Sequence, residues 1–149
     1  MTHPVCHECK APMRRDIRPK TLSYKGMSVV VEMPGWYCDG CDEGIHVGDD
    51  MKQSDRALNR LKARAEGLLQ SGEIRRIRRR LGLTQEQAGM LIGGGPRAFQ
   101  KYEADDLLPS QAISSALLLL DHDPSGLDVL RARQVTSRLH EPEPARTQA

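Results

Sequence analysis

The chain has 149 residues, with 22 basic and 20 acidic side chains, 38% apolar and only 3% aromatic. That length suits one ordinary domain or two small ones, and so few aromatic residues exclude a large single core, so a staple such as a metal or a subunit contact is expected. No apolar run is long enough to span a bilayer and MTHPVCHECK holds no signal-like apolar core, which makes a cytoplasmic address the expectation.

All four cysteines precede residue 42, as two C-x2-C pairs, Cys6–Cys9 and Cys38–Cys41, separated by 28 residues. A C-x2-C knuckle turns two sulfurs toward one point, and two knuckles complete a tetrahedral S4 site, so one structural Zn2+ on Cys6, Cys9, Cys38 and Cys41 is expected. Three other uses of these thiols are disfavoured. Two disulfides conflict with a reducing compartment. A redox C-x2-C normally stands as a single pair. Rubredoxin-type iron knuckles carry glycine after the second cysteine, where this chain has Lys10 and Asp42. His3, His7 and His46 lie near the ligands, but four thiolates already fill the site, which leaves these as surface histidines and no position for a catalytic water. Between the knuckles, Ser28–Met33 is valine-rich and reads as a strand, bounded by Gly26 and by Pro34-Gly35. Residues 1–50 carry six basic and eight acidic side chains, net −2.

From Ser54 the apolar period becomes helical, through Leu58, Leu61, Ala65, Leu68 and Leu69, with Ser54 as cap and Ser71-Gly72 as terminator. This is expected to be a solvated helical linker over residues 51–70. A second helix places Ile74, Ile77 and Leu81 on one side, with Arg75, Arg76, Arg78, Arg79 and Arg80 around the rest. Such a run is usually a solvated face, with phosphate contact as the further option. Glu103 is a candidate partner for Arg76 or Arg80.

The stretch LTQEQAGMLIGGGPRAFQKYE then reads as two short helices and a turn. Thr84 and Gln87 make a capping box. The first helix ends at Gly93, and Pro96 suits the first turn of the next. Phe99 and Tyr102, three apart, point to the core. A P-loop is excluded, because no Lys-Ser or Lys-Thr follows the glycines and helix rather than strand precedes them. The unit is a helix-turn-helix. In that unit the early residues of the second helix reach base edges, which selects Pro96, Arg97, Gln100 and Lys101, while Gln85 at the start of the first helix is placed for a phosphate or for capping support. Ser110 caps a further helix with Ile113, Leu117 and Leu120 in a stripe thickened by Leu118 and Leu119. Asp123-Pro124-Ser125 starts the last, through Leu127, Leu130 and Val135. These two are expected to form a two-fold dimer interface, against the alternative of closing a monomeric core. Residues 141–149 read as a disordered tail.

LTQEQAG, IGG and AFQKYE resemble the lambda-repressor or Xre type of helix-turn-helix. The CHEC and GWYCDGC knuckles, the linker and this segment together resemble the MqsA family of type II antitoxins over residues 1–133. The resemblance implies a zinc module that binds and neutralises an mRNA-cleaving ribonuclease toxin of the MqsR type. It also implies a helical domain that dimerises on a palindromic operator and represses its own operon. The family has asparagine and arginine as base readers at the positions of Arg97 and Lys101, so the operator of this chain is expected to differ. Two modes of toxin blocking stay open: strand addition from the Ser28–Met33 region and a plug of the nuclease site.

The expected fold class is therefore α+β: a small zinc-binding β module (1–50), a helical linker (51–70), and an all-α five-helix helix-turn-helix domain (71–140). The alternative function is a stand-alone transcriptional regulator with a structural zinc module and no toxin partner. An enzyme or electron carrier is disfavoured, since no triad, paired carboxylates or spare ligand position is present.

Overall fold

The computed structural model describes residues 2–139, with side chains through Gln134. It is α+β, with a three-stranded sheet and six helices among the described residues. The described residues form two compact units, one built from residues 2–70 together with Ala104–Leu108, the other from Ser71–Glu103 and residues 109–139. No described helix is long and apolar enough to cross a membrane.

In the first unit β1 (Arg14–Tyr24) and β2 (Met27–Tyr37) form a long antiparallel hairpin, paired from Tyr24–Met27 to Arg14–Tyr37. Its two-residue turn has φ of 46° at Lys25 and 79° at Gly26, the paired positive values of a type I′ turn whose twist matches the strands. A short β3 (Gly44–Ile45) pairs with Trp36 and Tyr37, giving the order β1-β2-β3. The strand therefore runs beyond the Ser28–Met33 core expected from its valines. Pro34 and Gly35, read as its end, lie inside it.

Helix α1 (Lys52–Glu66) packs on this sheet with Ala57, Leu61 and Ala63 buried. The segment expected to be a solvated linker is thus amphipathic because one side covers the hairpin. Its bounds also differ from the expectation. Met51 precedes the first turn, and Ser54 is buried inside the helix, where its hydroxyl donates to the Met51 carbonyl at 2.9 Å. The end is Gly67, at φ 68°, where the Leu68 N–H closes back on the Ala63 carbonyl at 2.9 Å. Ser71 and Gly72 open the next helix instead. Residues 104–108 are pinned to α1: Arg56 donates to Asp106 at 2.7 Å, Arg60 to Asp105 at 3.0 Å and Asn59 to the Asp105 carbonyl at 2.8 Å.

The second unit holds α2 (Ser71–Arg80), α3 (Gln85–Leu91), α4 (Ala98–Glu103), α5 (Gln111–His122) and α6 (Gly126–Leu139). Its core is Ile74, Ile77, Ala88, Phe99 and Leu117, all without exposed surface. Phe99 and Tyr102 meet edge to face at 5.5 Å. Ser110 caps α5, its hydroxyl accepting from the Ile113 N–H at 3.1 Å. Leu117 and Leu120 are buried, whereas Leu118, Leu119 and, on α6, Val129 are exposed. The Val135 side chain and the 141–149 stretch lie outside the described residues.

Candidate metal centre and the helix pair

Each knuckle is shaped by its own backbone. Val5 bridges to Pro12, the Cys6 N–H donates to Ala11 at 2.9 Å, and the Lys10 N–H returns to the Cys6 carbonyl at 3.0 Å. The second knuckle follows β2 and closes with the Cys38 N–H on the Glu43 carbonyl at 3.1 Å. Arg14 and Arg18 of β1 tie it down by donating to Asp39, between the two cysteines, at 2.7 and 3.2 Å.

The four sulfurs lie within 4.8 Å of one another. Cys6–Cys41, Cys9–Cys38 and Cys9–Cys41 are 3.4, 3.3 and 3.8 Å apart. A disulfide needs about 2.0 Å. A tetrahedron with metal–sulfur bonds of about 2.3 Å places its sulfurs about 3.8 Å apart, close to what is found. Main-chain donors also face the sulfurs: the Cys9 and Glu8 N–H groups at Cys6, Ala11 at Cys9, Gly40 at Cys38 (3.4 Å) and Glu43 at Cys41. The Cys9 N–H leads in drawing the Cys6 thiol down to about 7. At Cys41 the Glu43 N–H acts in the same direction, yet the shared contact with Cys6 and burial push that thiol up to about 12. Four adjacent thiols cannot all ionise by themselves; a bound dication reverses that penalty, so the donor set fits a metal ion.

Cys6 and Cys38 are buried with Met13 and packed by Ala11, Trp36 and Ile45, while Cys9 is exposed. The neighbouring histidines stand apart from the cluster. His3 meets Trp36 edge to face at 5.3 Å, His46 Nδ1 donates to the Pro34 carbonyl at 2.9 Å, and His7 is exposed.

In the second unit the α3–α4 connection is unusually tight. Thr84 and Gln87 form the reciprocal capping box at 3.1 and 2.9 Å. Gly93, Gly94 and Gly95 have φ of 139°, 98° and 91°, a left-handed path that side chains disfavour. It brings the Gly95 carbonyl so close to α3 that a Cβ on Gly89 would sit 1.8 Å from it. Pro96 and Arg97 lie in the turn leading into α4, so Pro96 stands two residues before the first helical position, Ala98, rather than in the expected first turn. Pro96, Arg97, Gln100 and Lys101 are exposed, while Ala98, Phe99, Tyr102 and Glu103 are buried. Gln85 is half-buried in the first turn of α3. Among the described residues neither Arg97 nor Lys101 forms an ion pair.

The arginine run of α2 is used internally. Arg78 donates to Glu103 at 2.7 and 2.9 Å and to the Leu83 carbonyl at 2.9 Å, with Arg75 3.4 Å from the same carboxylate. Arg76 and Arg80, the partners expected for Glu103, hold Asp121 instead, at 3.1 and 2.6 Å. Arg14, Arg18 and Asp39, which brace the metal knuckle, were missed because a charged strand beside a knuckle has no sequence signature of its own.

The family model for the antitoxin component of bacterial toxin–antitoxin systems, MqsA, matches residues 1–131, a span holding both the thiol cluster and the helix pair. The chain is 31% identical over 137 residues to Antitoxin MqsA of Escherichia coli (strain K12), covering 88% of this chain and 100% of that protein. A four-thiol knuckle site preceding a helical unit, within such a match, defines an antitoxin component of a toxin–antitoxin system, a class that implies a toxin partner. The chain belongs to the MqsA family.

Proposed function

We propose that the chain is an antitoxin that neutralises an MqsR-type mRNA-cleaving ribonuclease by protein–protein binding and represses its own operon on a palindromic operator. The observation that carries this reading is the family match running unbroken across the metal knuckles and the α3–α4 pair. Residues 1–50 form the toxin-binding module, residues 71–140 the DNA-binding and dimerisation domain, and both act in the cytoplasm.

Zn2+ is the ion assigned to Cys6, Cys9, Cys38 and Cys41, one per chain. When bound it supplies a cross-link that holds the two knuckles together where Met13 is the one other fully buried apolar side chain of the cluster. The thiolates are all ligands, so the role is structural and the chain is not an enzyme.

On the DNA side, the α3–α4 pair is a helix-turn-helix. Arg97, Gln100 and Lys101 recur at helical spacing on one exposed side, with Pro96 at its start, and reach base edges; Gln85 meets a phosphate. Two copies pair through Leu118 and Leu119 of α5 and Val129 of α6, apolar side chains that are otherwise exposed to water. Arg97 is assigned to a guanine in each half-site. Arg97→Ala should cost about 1–3 kcal/mol and relax preference at one base pair. Binding of the upstream inverted repeat, scanned base by base with both proteins, tests this; uniform weakening at every position removes Arg97 from base reading. The toxin half is tested by expressing the short reading frame beside this gene, alone and with this chain. Toxicity without rescue refutes it.

A further inference from the structure

Within an antiparallel ladder, residues alternate in turning their N–H and C=O toward one neighbour and then the other. In β2, Trp36 pairs with Ile45 and the Pro34 carbonyl accepts from His46, so the even-numbered residues face away from β1. Ser28, Val30 and Glu32 therefore turn their main-chain groups outward. Among the described residues no hydrogen bond takes these groups. The residues across from them, Ser23, Thr21 and Pro19, with Ile17, face the outer edge of β1 by the same rule. That edge is interrupted: the Ile17 N–H is already taken by the Asp16 carboxylate at 2.9 Å, and Pro19 has none. Of the two edges of the hairpin, one is blocked against strand addition and the other is left open along a valine run.

The open edge also has a recess beside it. A cleft of about 230 Å³ lies between Val29–Val31 and α1, floored by Ala57 and Leu61 and flanked by Arg60 and Arg64, with no acidic side chain in its lining. Arg64 is exposed and has no ion pair among the described residues. An added strand would lay alternate side chains into this recess, so its apolar positions meet Ala57 and Leu61 and a carboxylate meets Arg64.

We infer that the toxin docks by adding an edge strand, carrying an acidic residue, to the Ser28–Glu32 edge of β2. This rests on the antitoxin reading above and decides between the two blocking modes in favour of strand addition.

The test uses the full-length, metal-loaded chain and a catalytically inactive form of the MqsR-type ribonuclease proposed above as its toxin. Val30→Pro removes an outward N–H and no internal bond, and should weaken binding at least about 100-fold. Thr21→Pro makes the same change on the β1 edge and should bind within about 3-fold of wild type. Arg64→Glu should weaken binding about 10-fold and flatten its salt dependence. In wild type, the Ser28, Val30 and Glu32 amides should gain hydrogen-exchange protection in the complex, a readout independent of any variant's folding. Wild-type binding with those amides unprotected, or with Val30→Pro at wild-type affinity, overturns strand addition while leaving the antitoxin reading intact. No binding by wild type overturns both. Loss of self-association by Val30→Pro in the absence of toxin places a second copy of the chain on this edge and likewise overturns the proposal.

Discussion

Arg78 and Glu103 offer a sharp test of how the second unit is held. The Glu103 side chain is 2% exposed and that of Arg78 11%. Arg78 makes two of the three hydrogen bonds to the carboxylate, and Arg75, the third donor, is half-exposed at 3.4 Å. Removing one partner of a desolvated pair strands the other charge, a loss of about 3–5 kcal/mol. Arg78→Met keeps the apolar stem and leaves Arg75 as a weak substitute, so the lower figure, about 3 kcal/mol, applies. Glu103→Leu leaves a buried guanidinium with only the Leu83 carbonyl and costs about the same. Together they remove both charges, and the double variant should fall within about 1 kcal/mol of wild type, that residue being the lost bond to Leu83. For a domain of this size each single change lowers Tm by about 12–24 °C. Urea and thermal melts followed by helical circular dichroism measure all three, and Trp36, the chain's one tryptophan, reports the first unit separately. Additive losses in the double variant, or single losses below about 1 kcal/mol, would refute a desolvated pair.

Gly89→Ala should destabilise the second unit by about 3 kcal/mol, because its Cβ meets the Gly95 carbonyl at 1.8 Å and one helix of the pair must move; a melt within about 0.5 kcal/mol of wild type would show that the turn yields freely. If the cysteines hold the proposed Zn2+ and the second unit the proposed operator, a strong chelator should shift Trp36 emission as the first unit unfolds, since Trp36 packs on the cysteine cluster, while operator binding persists. Unchanged emission after metal loss would show that apolar contacts suffice there. Asp50 accepts from both terminal nitrogens of Arg15 at 2.9 and 2.8 Å and from the Val47 N–H at 2.8 Å, and Arg15 foremost holds its carboxyl well below the usual carboxylate range. A group lowered on folding adds stability that is complete above its unfolded value, about 4, and is lost as pH falls toward its folded value. Asp50→Asn should therefore be less stable than wild type at neutral pH, with the gap closing in acid; a gap constant with pH would assign the loss to packing.

What could be read without coordinates, and what could not, divides along physical lines. The gathering of the four thiols was legible because the spacing of sulfurs in a C-x2-C knuckle is set by backbone geometry alone. The Thr84–Gln87 box and the Ser110 cap were legible for the same reason: each is completed within three residues. The strand boundary was not. Pro34-Gly35 ordinarily ends a strand, but here Pro34 faces away from β1, so its missing N–H breaks no bond in the ladder. Gly35 is required inside the strand, because a Cβ there would come within 2.7 Å of His46. Both reasons are tertiary. Strand β1 was hidden by its charges, Arg14, Arg15, Asp16, Arg18 and Lys20, which mask the alternation of a strand.

The partner of Glu103 is a different matter, since helix phase already contains it. Ile74, Ile77 and Leu81 define the inward side of α2, and position 78 is one turn beyond 74 and beside 77, whereas 76 and 80 fall on another side. A buried carboxylate on α4 must therefore be met by Arg78, leaving Arg76 and Arg80 to a surface acid such as Asp121. The same phase argument sorts α4: Phe99, Tyr102 and Glu103 are consumed by the core, whereas Gln100 and Lys101, with Arg97 in the turn before the helix, are exposed. Because α4 is held from below by the Arg78–Glu103 pair and at its entry by the Gly89–Gly95 contact, Gln100 and Lys101, with Arg97 in the turn that enters the helix, stand on a short element that cannot tilt without breaking one of the two. On the proposed operator reading, α4 would meet DNA from a fixed angle, and a variant that frees either support should lose affinity for all operator sequences together, in contrast to the single-base effect expected of Arg97→Ala.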